Sequence, residues 1–298
     1  MVDTKKTGRT EMLSGRDLVK GSFKDMDYSY SYKKSVHSIP SFSSGLDSLI
    51  GGWHKSDLIV IGGRPGTGKS AFVHNILCHS VTQDVSILLC SPEMRKEMIA
   101  LRLLSIKSNV ACNTIESGLL KEVDWPKLTT AAALLSQEDL NIDDTLPLPV
   151  SKISKSAREL KADNKLELLF IDSLPFITMG DNESQDEIAV VMMALKSIAR
   201  ELNIPVLLTV PLKTESSELP ERYPCLDDIG NDLIVNYADV IILLHKDTPA
   251  NKKKGKVDAL VAKNRNGALG VVPFHFIYQC LRFEERTQQK EHIALEMH

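Results

Sequence analysis

The run VIGGRPGTGKSAF, Val60 to Phe72, places Gly63, Gly68, Lys69 and Ser70 in the spacing GxxxxGK[ST], between an apolar strand-like stretch and an apolar helix-like one. That spacing serves one chemistry. Glycines let successive backbone N–H groups close around phosphate oxygens, and the start of the helix adds the positive end of its dipole. The lysine reaches the outer phosphates, and the serine hydroxyl is placed to ligate magnesium. The turn Gly63, Arg64, Pro65, Gly66, Thr67, Gly68, Lys69 and Ser70 is therefore the expected nucleotide cradle.

Hydrolysis at such a cradle needs carboxylates at the same sheet edge. In LLFIDS, Asp172 follows four apolar residues, where the end of a neighbouring strand faces the phosphates and holds the metal's water shell. In SILLCSPEM, Glu93 follows another apolar run. A carboxylate there polarises the attacking water as a general base, or else sits at the start of a helix after Pro92 and is stabilised by the dipole. Spacing alone leaves both open.

These residues need a scaffold, and the composition supplies one. The chain has 298 residues, 43% of them hydrophobic, enough for one large or two small domains with a substantial core. A net charge of −3 argues against gripping nucleic acid by bulk charge, though a narrow basic channel would not show in that sum. Cys78, Cys90, Cys112, Cys225 and Cys280 are scattered without CxxC spacing, so buried free thiols are expected rather than a metal site or disulfide framework. His74, His79 and His245 stand isolated and are expected to be packed or exposed rather than catalytic. No stretch resembles a signal peptide or a membrane span, which makes the cytoplasm the expected compartment and a membrane no partner.

Short apolar runs at Leu58–Ile61, Val85–Cys90, Leu168–Ile171, Val206–Val210, Val240–Leu244 and Val257–Ala262 are expected as strands of a sheet buried on both faces. Ile188, Val191, Met192, Leu195, Ile198 and Leu202 recur at helical spacing over Gln185 to Leu202. Strands alternating with helices predict an α/β fold with a parallel sheet. Residues 1–37 are polar and are expected as a flexible arm with one short helix around Met12 to Lys20. Residues 38–285 form the expected domain and 286–298 a polar tail. The charge run NKKKGK, Asn251–Lys256, is expected as a solvated hairpin tip, and the acidic stretch Met179–Glu187 as a solvated loop and helix start.

From about Ile39 to Phe283 the chain resembles the C-terminal RecA-like ATPase domain of DnaB-type replicative DNA helicases. The resemblance rests on SDLIVIGGRPGTGKSAF, SPEM, NIDDT followed by ARELK, LLFIDSL, LKSIARELNIPV, YADVIILLHKD and AKNRNGALG, in the family's order and approximate spacing. It implies a RecA-like P-loop NTPase with a mostly parallel central sheet flanked by helices and a C-terminal hairpin. It also implies ATP and Mg2+ as cofactors, Glu93 as catalytic base and Asp172 beside Ser70 at the metal. Lys263 and Arg265 are implied to reach into a neighbouring subunit's site, where such charges stabilise the transferred phosphoryl group. A homo-oligomeric ring, a hexamer moving 5′→3′ on single-stranded DNA and served by a replication or loader protein, follows from the same likeness.

The chain departs from the family at the residues that couple hydrolysis to DNA. Pro211 stands where a sensor glutamine is expected, and proline has neither an N–H nor a side-chain amide. Ser173 and Pro175 replace the family's usual Tyr and Gln after the Asp172 strand. The candidate DNA loop, an Arg-Glu-Ser-Gly core in the family, here carries Asp227, Asp228 and Ile229 before Gly230. Acidic side chains there are expected to repel phosphate, leaving Gly230 to offer its N–H. Two readings follow: an ATP-dependent helicase or translocase, and a DnaB-like ATPase that controls assembly or partner binding without unwinding DNA.

Overall fold

The computed structural model describes residues 14–32, 37–136, 139–179, 187–213, 222–247 and 254–286. It separates into two units, Met1–Ser38 and Ile39–His298. The described residues of the first include a helix, Gly15–Tyr32, longer than the short helix expected around Met12 to Lys20. Its first turn is capped at Ser14, whose hydroxyl accepts from the Asp17 N–H at 3.2 Å and donates to the Asp17 carboxylate. No proline follows to stop it before Tyr32.

The second unit is built on a nine-stranded sheet: β1 (Leu58–Gly63), β2 (Ile87–Cys90), β3 (Leu140–Asp143), β4 (Leu168–Ile171), β5 (Val206–Pro211), β6 (Val240–Asp247), β7 (Lys254–Asn264), β8 (Gly270–Ile277) and β9 (Arg282–Glu285). Their spatial order is β9-β8-β7-β6-β1-β5-β4-β2-β3. The six strands from β6 through β1 to β3 run parallel, and β7, β8 and β9 continue the sheet antiparallel. Each of the six expected strands is present. The edge strand β3 and the pair β8 and β9 lie outside that expected set.

Alternation explains how both faces are filled. Ile59 and Ile61 of β1, Leu168 and Phe170 of β4, and Val240 and Ile242 of β6 face the helices Lys69–Val81 and Lys96–Ser108. The intervening Leu58, Val60, Leu169, Ile171 and Ile241 face the helices Val150–Ala162 and Glu187–Leu202. In the last helix Val191, Met192, Leu195, Ile198 and Leu202 are buried as their spacing predicts, while Ile188 stays exposed. Phe72, on the helix after the cradle, packs edge-on against Phe274 and Phe283 of the antiparallel strands. Asn75 on the same helix donates to Leu281 O and accepts from Phe283 N, fastening the helix to β9.

Cys78, Cys90 and Cys280 are buried free thiols, whereas Cys225 is exposed and Cys112 only partly covered. Of the two charged stretches, 180–186 and 251–253 lie outside the described residues, as do 1–13 and the tail 287–298. No helix among the described residues is long and apolar enough to cross a membrane.

Candidate active site

The turn between β1 and the helix Lys69–Val81 has the backbone a phosphate cradle requires. Gly66 and Gly68 adopt φ of 76° and 96°, a region costly for other residues. A Cβ on Gly63 would meet Thr67 Oγ1 at 2.5 Å and Lys69 Cγ at 2.9 Å, so the first motif glycine is held by close approach. Thr67 donates its hydroxyl to Arg64 O at 2.8 Å, closing the turn. Lys69 Nζ donates to Gly63 O at 2.7 Å and Arg64 O at 3.2 Å. Pro65 and Gly66 are exposed at the rim, and Ser70 is half-buried one residue into the helix.

Asp172 follows β4 at the same end of the sheet, with 3% of its surface exposed. Thr209, in the adjacent strand β5, donates its hydroxyl to Asp172 Oδ1. Thr209 was not among the sequence-derived candidates. The signal was available: one hydroxyl in the otherwise apolar run VLLTV, on the strand beside the Asp172 strand. Glu93 lies in the turn after β2, exposed, three residues before the helix Lys96–Ser108. It is thus not a residue of that helix, which removes the dipole-stabilised alternative as spacing had framed it. Burial pushes the Lys69 ammonium below its usual pKa, and the charges of Asp172 and then Glu93 pull the other way. Lysine, serine and both carboxylates thus converge on one end of β1, a donor set suited to phosphate oxygens and a hard divalent cation.

Lys263 and Arg265 do not join that convergence within the chain. Asp239, just before β6, bonds to Leu58 at the opposite end of β1. At ~3.3 Å per residue, Leu58 to Gly63 spans about 16 Å. Lys263 Nζ donates to Val235 O at 2.6 Å and Ala238 O at 2.7 Å. Arg265 donates to Asn236 O at 2.9 Å and pairs with Asp239 Oδ1 at 3.1 Å. Asp239, almost fully buried, also pairs with Lys196. Burial, and then the Arg265 charge, holds Lys263 below its ordinary pKa.

The segment expected to meet DNA is arranged differently from its sequence reading. Asp228 is 4% exposed and does not face outward. Arg222 holds both its oxygens, NH2 on Oδ1 and NH1 on Oδ2 at 3.1 Å, and Cys225 N donates to Oδ2 at 2.9 Å. Asp228, buried and paired, does not present its charge to a phosphate, whereas Asp227, which stands in the place of the family's Arg, is exposed. Ile229 is buried. The Gly230 N–H is spent within its own turn on Asp227 O at 2.9 Å, so it is not on offer to a phosphate. Pro211 ends β5 opposite Gly63, exposed, as the sequence order requires.

With this geometry in view, comparison with known proteins is decisive. The family model for the DnaB-like helicase C terminal domain matches residues 38–285. The chain belongs to that family. Its relatives include the replicative DNA helicase DnaC of Bacillus subtilis (strain 168), 32% identical over 277 residues, which cover 90% of this chain and 61% of that protein. The replicative DNA helicase DnaB of Geobacillus stearothermophilus is 30% identical over the same coverage. This chain thus spans about three fifths of the length of these relatives. Among solved structures, the ATPase domain of G40P superposes with a TM-score of 0.81 at 25% identity, covering 92% of this chain and 99% of that one. A DnaB-like replicative helicase solved with its interactions with primase shares the fold at a TM-score of 0.79 and 24% identity, over 92% of this chain and 67% of that one. The RecA-like fold of the DnaB-like domain is therefore established, and use of a nucleotide comes with it.

Proposed function

We propose that this DnaB-like chain is an ATP-dependent DNA helicase or translocase that works as a ring-shaped homo-oligomer, a hexamer, on single-stranded DNA. The observation that carries the reading is the placement of the charges. Lys69, Ser70, Glu93 and Asp172 gather at one end of β1, while Lys263 and Arg265 lie at the other end. Both charges are bonded there, Lys263 on Val235 O and Ala238 O and Arg265 on Asn236 O and Asp239, away from their own cradle, so a site completed by them would be shared between subunits.

In that site the glycine turn and Lys69 bind the phosphates, Ser70 and Asp172 would hold Mg2+, and Glu93 takes the proton of the attacking water. Bound magnesium would neutralise charge on the phosphate oxygens. Arg265 and Lys263 of the adjacent subunit stabilise the charge that develops on the transferred phosphoryl group. Hydrolysis then depends on subunit contact, which is the requirement for turning it into directed movement.

A second reading, an ATPase that controls assembly or partner binding without strand separation, is favoured by Pro211, which offers no polar group at the position where hydrolysis would be sensed. ATPase assays with and without single-stranded DNA, paired with unwinding of a forked duplex, separate the two. The helicase reading expects DNA-stimulated turnover and unwinding; unchanged turnover and an intact fork support the second. Mixing Arg265→Ala with Lys69→Ala subunits tests the shared site: each alone is inactive, and mixed assemblies regain turnover. Mixed assemblies that stay inactive refute the trans role.

A further inference from the structure

Arg64 belongs to the phosphate cradle by sequence, yet its side chain leaves it. The guanidinium NH2 lies 4.0 Å from Asp228 Oδ2, and the side chain is 18% exposed. Its Nε and NH2 are buried without a hydrogen-bond acceptor among the described residues. A buried donor left unbonded costs about 1–3 kcal/mol, more where it is charged, so this arrangement needs a reason.

The Arg64 carbonyl supplies one. It accepts from Lys69 Nζ, from the Thr67 hydroxyl and from Thr67 N. One residue therefore touches the phosphate-binding lysine through its backbone and the 222–230 segment through its side chain. That segment is tied together internally: Arg222 and Cys225 N place three hydrogen bonds on the Asp228 carboxylate, which leaves it acceptor capacity, and the Asp228 carbonyl accepts from Lys213 N at 2.8 Å. Lys213 lies two residues beyond Pro211, and Leu212 N donates to Gly63 O at 3.2 Å, so the end of β5 is laced between cradle and segment.

We infer that Arg64 and Asp228 couple nucleotide binding to the 222–230 segment, providing by charge the route that Pro211 cannot provide by a side-chain amide. At 4.0 Å the ion pair is made without a hydrogen bond; closing the gap by about 1 Å converts it into a charge-assisted one. Phosphate oxygens that take Lys69 Nζ remove its bond to the Arg64 carbonyl, which frees the Arg64 peptide to move. Arg222 keeps Asp228 neutralised throughout, so the carboxylate exchanges partners without being stranded. The inference rests on the nucleotide reading of the cradle and requires nothing of DNA.

Hydrogen exchange on the full chain, with and without a non-hydrolysable ATP analogue and Mg2+, tests it. In the unaltered chain the analogue protects both the cradle, 63–70, and the segment, 222–230. Asp228→Asn keeps the size of the side chain and its acceptor for Cys225 N while removing the charge. It is expected to lower the ratio of segment protection to cradle protection about fivefold or more, the lower range of site-to-site coupling. Arg64→Lys, which shortens the reach to Asp228, is expected to lower the same ratio should Asp228→Asn fold poorly. A ratio unchanged in a folded variant overturns the coupling, as does cradle protection without any segment response in the unaltered chain. No protection at either place overturns the nucleotide reading, and the coupling falls with it.

Discussion

Replacing Thr209 by valine isolates how the buried end of the site is held. The hydroxyl donates to Asp172 Oδ1, and Thr209 and Asp172 are 1% and 3% exposed, so no bulk water stands ready to replace the donor. Valine keeps the branched shape and leaves the carboxylate oxygen without that bond. A hydrogen bond to a charged group contributes about 1.5–3 kcal/mol. At roughly 2 °C per kcal/mol for a domain of this size, melting is expected to fall by about 3–6 °C. The second effect is chemical. A partner that orients a metal-holding carboxylate typically accounts for 10–100-fold in metal affinity or activity. The Mg2+ concentration giving half-maximal ATPase is therefore expected to rise by about one to two orders of magnitude. Thr209→Ser keeps the hydroxyl and loses one buried methyl, costing about 0.8 kcal/mol in stability while leaving the Mg2+ dependence near its original value. Refutation is specific: a Thr209→Val protein destabilised as expected but with unaltered Mg2+ dependence shows that the bond supports the sheet and does not aim Asp172. A protein with unchanged melting shows that the bond contributes nothing.

Lys69→Ala and, separately, Glu93→Gln are expected to abolish steady-state ATPase; Glu93→Gln retains nucleotide binding, measured by fluorescence titration of a labelled nucleotide. His74 sits 1% exposed in the helix after the cradle, with its pKa lowered to about 3, by burial first and the Arg102 charge second. Below pH 6.5 the unfolded chain takes up a proton that the folded imidazole refuses, so its share of stability is present above pH 6.5 and is lost as pH falls towards 3. The slope is about 1.4 kcal/mol per pH unit, and His74→Leu removes it in urea titrations at pH 6.5 and 5. Burial pushes the Cys78 and Cys90 thiols up to about 12, against the exposed Cys225. At pH 8 a thiol reagent is expected to label Cys225 quickly, and Cys78 and Cys90 only as fast as the chain unfolds.

The parallel strands were legible because two-sided burial writes itself as unbroken apolar runs. In β1, β2 and β4 every residue is covered, and LIVI, ILLC and LLFI show it without help from context. The strands absent from the expected set are those whose burial is one-sided or partial. Only alternate residues of β8 are buried, Val272, Phe274 and Phe276, with Pro273 between them. All four residues of the edge strand β3 are half-exposed, and its sequence LNID carries no more apolar character than many loops. The helix Gly15–Tyr32 exceeded its expected length because Asp, Ser and Tyr are weak helix formers, and propensity alone underrates a run that is capped and free of proline.

The site divides along the same physical line. Gly63, Lys69, Ser70 and Asp172 were legible because their placement follows from chain geometry: a turn must follow β1, and a residue just past the end of β4 must lie at the same sheet edge. Asp228 was not, because sequence shows a charge but not where the charge goes. Its partner Arg222 is close in the chain, yet Arg64 comes from the cradle on another strand's end, and only the parallel register of β1 with β5 brings the two segments together. An aspartate in a loop next to a phosphate site reads as repulsion until its counter-ions are found. Once they are, the same residue is a neutralised anchor, and its loop presents outward Tyr223, Cys225, Asp227 and a Gly230 whose N–H is already bonded. Among the described residues of this stretch, a nucleic acid backbone would therefore meet neither the Asp228 charge nor a free Gly230 N–H, and a favourable contact there would fall to cations such as the exposed Lys213.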